Sequence, residues 1–290
     1  MNKLLTIALM VICWSMMPSL AAQDLMDLLD DEEEKTTYAV NTFFTTRVIN
    51  GQSVENPYPG DLIFIVSHHF GRLNQGAYEL WGLDQATIRL GLEYGLSERL
   101  AVSVGRSSYE KTFDGFLKYK LLHQQSGARN VPVSVSLFSG AYLKSQKWPE
   151  GSNFEFKHRM SYVQQIMVAR QFSREVSLQL TPAWVHRNLV PSDDDPNDFF
   201  VLGVGGRWRF GDWAGISMEY FHRFHEPESY ETHNAFAIGV DLDTGGHVFQ
   251  LHFTNAQPMF EPGFLTDTRG DFLDGDIYFG FHIKRTFSLR

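Results

Sequence analysis

The chain has 290 residues with 25 basic against 34 acidic side chains, a formal charge of −9, and only one cysteine. That balance excludes the basic footprint of a nucleic-acid binder. The lone Cys13 lies in the first 22 residues, so the rest offers no disulfide or thiolate-bound metal, and no cofactor is expected.

Residues 1–22 carry Lys3, an apolar run from Leu4 to Met17, then Pro18, Ser19 and Ala21–Ala22. This is the layout of a cleaved secretory signal, expected to be cut after Ala21 or Ala22. Residues 23–60 follow as a periplasmic N-terminal segment, either a tether or a plug for what comes next. Within it an acidic run spans Asp30 to Glu34, residues 38–49 look strand-like, and NGQSVENPYPG is turn-rich.

From residue 61 to 290 apolar side chains recur at every second position. Phe200, Leu202, Val204, Trp208 and Phe210 share one face, opposite Val201, Gly203, Gly205, Arg207 and Arg209. Phe281, Ile283, Phe287 and Leu289 stand opposite Gly280, His282, Lys284, Thr286 and Ser288. A strand between lipid and a polar lumen needs this period of two, and closure into a barrel pairs every backbone group. About twelve strands are expected, near 62–70, 85–94, 98–106, 115–123, 131–142, 159–170, 176–186, 198–209, 214–224, 233–241, 246–254 and 277–289. The connections alternate short and long, with long ones near 71–84, 107–114, 143–158, 187–197, 225–232 and 255–276. The reading is an all-β transmembrane antiparallel barrel in the cell outer membrane, with short periplasmic turns and long extracellular loops. Aromatic girdles are expected from Tyr142, Trp184, Phe199, Tyr220, Phe224 and Tyr278 at the outer ends, and from Tyr94, Trp208, Phe210, Trp213 and Phe287 at the inner ends.

The stretch IVSHHFGRLNQGAYELWGLDQATIRLGLEYGLSERLAVSVGRSSYEKTFDGFLKYKLL, together with VPVSVSLFSG and TTRVINGQSVENP, resembles a family of bacterial outer-membrane barrel proteins catalogued as a domain of unknown function. The resemblance is strongest from Ser67 to Leu122. It implies the barrel and its location, and brings no reaction, cofactor or catalytic residue.

Alternation places Arg89, Glu93, Lys118, Lys120, Arg207, Arg209, Glu219, Arg223, His252, His282 and Lys284 toward the lumen. Bases outnumber acids there, so the favoured function is a porin-like passage for small solutes, with anions preferred. The rival is a closed barrel acting as an adhesion, receptor or assembly partner through its outer loops. For that role loop 255–276 would expose Met259, Phe260, Phe264, Leu265 and Phe272. His222, His225 and His233 flank one loop with Glu226, Glu228 and Glu231. In an extended chain His222 and His225 diverge, so no metal site is expected of them. Adjacent His68 and His69 diverge in the same way.

The acidic runs 193–198 and 267–276 read as solvated turns. No enzyme is expected: His123 is followed by Gln-Gln-Ser-Gly rather than a compact His-x-Ser motif, and His186, His225, Asp193 and Asp194 have no catalytic spacing. Expected partners are outer-membrane lipid and lipopolysaccharide, the barrel-assembly machinery and the small solutes, with no nucleic acid.

Overall fold

The computed structural model describes residues 36–148 and 155–289. The expected signal at 1–22 and the acidic run at 30–34 lie outside them. Twelve antiparallel strands close into a barrel. They are β1 Asp61–Arg72, β2 Ala86–Gly95, β3 Leu100–Ser107, β4 Thr112–Leu122, β5 Ser134–Lys144, β6 Met160–Gln171, β7 Val176–Arg187, β8 Asp198–Arg209, β9 Ala214–Arg223, β10 Ala235–Asp243, β11 His247–Thr254 and β12 Tyr278–Ser288. Each strand pairs with its neighbour in sequence, and β12 pairs back onto β1, so no edge is left open. This is the architecture that the alternation requires.

The two faces are sharply different. Leu90, Leu92, Val104, Leu117, Ile166, Leu180, Val204 and Leu251 point outward and are exposed, forming an apolar sheath. Arg89, Glu93, Lys118, Ser136, Gln179, Glu219, Gln250 and His252 point inward and are buried. An apolar outside around a polar inside inverts a soluble protein, and only a lipid surround makes it favourable. Of the expected girdle, Trp208, Phe210, Trp213, Tyr220 and Phe224 do face outward. Tyr142, Phe199 and Tyr278 do not: they are buried on the inward face, where Tyr142 meets Phe260 and Glu261 of loop 255–277.

The connections alternate broadly as expected, with one departure. Residues 108–111 form a four-residue link with a single 3₁₀ turn, because β4 begins already at Thr112. On the short-turn side the link between β4 and β5 carries a two-residue ribbon, Gln125–Ser126, which pairs with Thr37–Tyr38.

Residues 39–49 are not a strand. Their β-branched and aromatic side chains suit one, but a closed barrel has no edge to receive it. The chain instead bends repeatedly, and Thr42, Phe43 and the stretch from Thr46 to Val54 are buried inside the barrel. At its tip the backbone reverses: Ser53 N–H donates to Thr46 O (3.0 Å) and Val48 N–H to Gly51 O (2.8 Å).

Loop 255–277 also folds inward from the long-loop end. It contains a short helix, α1, Glu261–Thr266, all of whose residues are buried. Met259, Phe260, Phe264 and Leu265 are therefore buried rather than displayed as a docking surface. Phe264 packs on Phe221 with ring centroids 5.2 Å apart, and Phe272 on Phe236 at 4.7 Å. Burying Met259, Phe260, Phe264 and Leu265 within the barrel removes most of the apolar patch that the loop composition suggests; Phe272 is half-buried against Phe236 on the outward face, and Leu273 stays exposed.

Candidate functional site: a polar lumen holding two inserted segments

The interior is a buried charge network built by alternate residues of the strands and completed by the two inserted segments. Glu219, midway along β9, receives the reversed tip of the N-terminal segment. Its Oε1 accepts from Asn50 N–H (2.8 Å) and Gly51 N–H (3.3 Å), and its Oε2 from Ile49 N–H (3.2 Å) and Gly51 N–H (3.1 Å). Glycine at 51 is required by space, since a Cβ there would stand 2.6 Å from Phe221 Cζ. Such a carboxylate is compensated by oriented backbone dipoles.

Other strands grip the same segment. Lys118 donates to Thr46 O (3.2 Å) and Ser53 O (3.3 Å), Gln250 to Val48 O (2.5 Å), Gln179 to Gln52 O (2.7 Å) and Ser136 to Val54 O (3.1 Å). Arg207 donates to Asn41 O and, like Arg209, lies over the Phe44 ring. Lys120 pairs with Glu55 at 3.5 Å, and Lys284 donates to Thr45 Oγ1. A backbone that has lost its sheet partners thus recovers them from lumen side chains.

The two inserted segments meet at Glu261. Arg47 from the N-terminal segment donates to Glu261 Oε1 at 3.1 Å, Gln52 to the same oxygen at 2.8 Å, and the Tyr142 hydroxyl to Oε2 at 2.6 Å. Burial pushes the Glu261 carboxyl up, but Arg47, the Tyr142 hydroxyl, Arg89 and the Gln52 amide outweigh it. They hold it below the ordinary carboxylate range. Arg223 ties the end of the helix to the wall through Thr266 O (3.1 Å) and reaches Thr232 Oγ1.

All eleven expected lumen residues point inward: Arg89, Glu93, Lys118, Arg207, Glu219, Arg223, His252, His282 and Lys284 are buried, and Lys120 and Arg209 half-buried. The sequence reading leaves out three inward carboxylates. Asp114 chelates Arg89 through two bonds, Asp241 accepts from Ser217 and from Gln250 (2.6 Å), and Asp61 accepts from Ser288 (2.7 Å). The excess of bases over acids is correspondingly smaller. Asp114 is legible by carrying the parity of Lys118 back four residues.

Residues outside the lumen behave differently. His222 and His225 are exposed, His233 lies 3.7 Å from Asp271, and the three form no cluster of metal-binding geometry among the described residues. His123 bonds Ala39 O (2.8 Å), and His186 bonds Asp198 (2.8 Å). Asp195, expected in a solvated turn, is buried and accepts from Glu228 N–H and Ser229 N–H, both 2.9 Å, which ties two outer loops together.

No curated protein matches the sequence. Among solved structures the chain is similar to the NanC porin (8% identity, TM-score 0.49, covering 78% of this chain and 98% of that one). It is similar also to the KdgM porin (9%, 0.47, 78% and 99%). A third is an outer-membrane channel from Pseudomonas putida F1 (10%, 0.46, 80% and 97%). Likeness at this level adds nothing to the strand pairing traced above. A family model, by contrast, matches residues 43–287, taking in both the inserted tip and every barrel strand. The chain belongs to that family, described as "Membrane bound beta barrel domain (DUF5777)".

Proposed function

We propose that this protein is an outer-membrane passage for small solutes, held closed by its own N-terminal segment and by loop 255–277. The observation that carries the reading is the seat of residues 41–55. They belong to no barrel strand, yet they fill a lumen whose wall is lined with charged and amide side chains. A wall meant only to be a closed core would be stabilised better by apolar packing than by buried charges. A wall that is wetted when the segment leaves needs the polar lining that it has. Lys118, Arg207, Arg209 and Lys284 would then line the open path and favour anions. The lipid-facing sheath would lie against outer-membrane lipid and lipopolysaccharide, with insertion by the barrel-assembly machinery. No step of this reading calls for bond-making chemistry.

The test is single-channel conductance of refolded protein in a planar bilayer, with heat-dependent gel mobility confirming the fold. Residues 23–60 are removed in a second form. The whole chain should be silent or open rarely, and the shortened one should give discrete, frequent steps. A folded barrel that stays silent after this deletion, and again when residues 257–273 are also removed, would sink the passage and leave a closed interaction protein, the second reading, in its place.

A further inference from the structure

Three histidines outside the plug contacts converge in the barrel wall. His69 on β1, His252 on β11 and His282 on β12 each place a ring nitrogen within 4.8 Å of the other two, and all three are buried. Their meeting depends on register across three adjacent strands. Gly280 on the middle strand is paired with His252 on one side and His69 on the other. It has no side chain, so both imidazoles lean over it; a Cβ there would stand 2.4 Å from His69 Cδ2 and 2.7 Å from His252 Nε2. His282 lies two residues further along the same face and stacks on His252, with ring centroids 4.5 Å apart.

The tautomers are partly set by the surroundings. His69 Nδ1–H donates to the Gln257 carbonyl at 3.0 Å, which leaves Nε2 of the neutral ring with a free lone pair. A backbone carbonyl holding one ring nitrogen is how metal-bound imidazoles are commonly oriented. His69 Nε2 stands 2.8 Å from His252 Nε2, so a mutual hydrogen bond accounts for that pair. It does not account for His282, which is buried with neither ring nitrogen partnered.

From this geometry we infer that His69, His252 and His282 form a binding site for a divalent transition-metal ion, of the zinc type, across the seam where the first and last strands close the barrel. Three imidazoles with a fourth position open is a recognised zinc arrangement, and nitrogen donors favour zinc, copper or nickel. With no carboxylate among the donors, calcium and magnesium are disfavoured. Around one ion at about 2.0–2.1 Å the nitrogens would sit roughly 3.3 Å apart. The His69–His252 pair need only open by about half an ångström from its present separation. Lys284, two residues beyond His282, opposes a cation, but it interacts with Asp241 and Glu93 and donates to Thr45. Since the Gln257 carbonyl belongs to the inward loop, an ion held here would also fix that loop's root.

The test uses the refolded full chain in detergent, checked for heat-dependent gel mobility, with Zn²⁺ added during refolding or afterwards. Titration calorimetry should show one Zn²⁺ per barrel, and Co²⁺ in its place should give the intense visible bands of a tetrahedral site. His252→Ala and His282→Gln should each weaken binding by more than the roughly 10–100-fold that loss of a ligand's outer partner costs. His225→Ala with His233→Ala should leave it unchanged. Absence of saturable binding up to millimolar Zn²⁺ in the folded wild type would overturn the site. So would stoichiometric binding that survives in a folded His252→Ala/His282→Gln double variant, or Co²⁺ bands of octahedral type. The wild-type spectrum decides the question even if a variant fails to fold, and none of these outcomes depends on whether the lumen conducts.

Discussion

Glu219 meets the inserted tip with both carboxylate oxygens, each shared among backbone N–H groups of residues 49–51. Hydrogen bonds to a charged acceptor contribute about 1.5–3 kcal/mol, against about 0.5–1.5 kcal/mol for neutral ones. Glu219→Gln keeps the shape, removes the charge, and turns an NH₂ toward donors that need an acceptor. The expected loss is on the order of 1–3 kcal/mol from the seated state, about a 5–150-fold rise in the open-to-closed ratio. Single-channel open probability reads this directly; an unchanged value in a folded Glu219→Gln barrel would mean that the tip is held elsewhere. Glu219 was legible as inward from alternation alone, because β9 keeps strict period two from Gly215 to Arg223. What it holds was not, since its partners are backbone groups 168–170 residues away in sequence. The same limit hid the histidine cluster. Neighbours His68 and His69 diverge along their own strand, as the pleat demands. Convergence arises only across strands, through a register that places Gly280 between two imidazoles.

At the scale of elements, the strands were legible, the N-terminal segment was open between tether and plug, and the inward fold of loop 255–277 was not legible. Each barrel strand carries its own evidence in its alternation, and lipid on one side and lumen on the other fix which residues face where. Residues 39–49 have strand composition without strand company, and closure of β12 onto β1 leaves them nothing to pair with. Loop 255–277 has the composition of a docking surface, and the interior of its own barrel is what it docks into. These two segments are joined chiefly through Glu261, which gives their contact a pH dependence. Its carboxyl is buried, but Arg47, the Tyr142 hydroxyl, Arg89 and the Gln52 amide hold it below the ordinary carboxylate range; Glu93 and Asp114 are the acids nearby. A carboxyl depressed in the folded state stabilises that state above its unfolded value, about 4.3, and the contribution disappears as pH falls through its depressed value. The contact between plug and loop should hold from neutral pH down into the usual carboxylate range, then loosen on further acidification. In a Glu219→Gln background, where the other carboxylate holding the tip no longer titrates, conductance recorded down a pH series should rise at the acid end. Adding Glu261→Gln should remove that rise.

For the whole molecule, an acidic chain with a formal charge of −9 encloses a wall in which bases still outnumber acids. The preference of an open barrel is set by the wall and not by net charge, because rings of side chains act at close range in a confined, poorly screened space. Asp114 neutralises Arg89 in place, and Asp61, Glu93 and Asp241 offset others. By contrast, Lys118 and Arg207 donate to backbone oxygens at 41, 46 and 53, all of which leave with the N-terminal segment, although Arg207 keeps bonds to Arg174 O and Ser177 Oγ. Those two cations are therefore among the ones that opening uncovers, with Lys120 and Lys284, whose partners Glu55 and Thr45 leave as well. In the whole chain, reversing Lys118 and Arg207 would both unseat the plug and change the wall, so selectivity has to be read in the form lacking 23–60. There, the parent should pass anions in preference to cations. Lys118→Glu with Arg207→Glu should reverse the sign of the reversal potential measured across a salt gradient. A reversal potential that stays put would show that the path avoids this side of the wall.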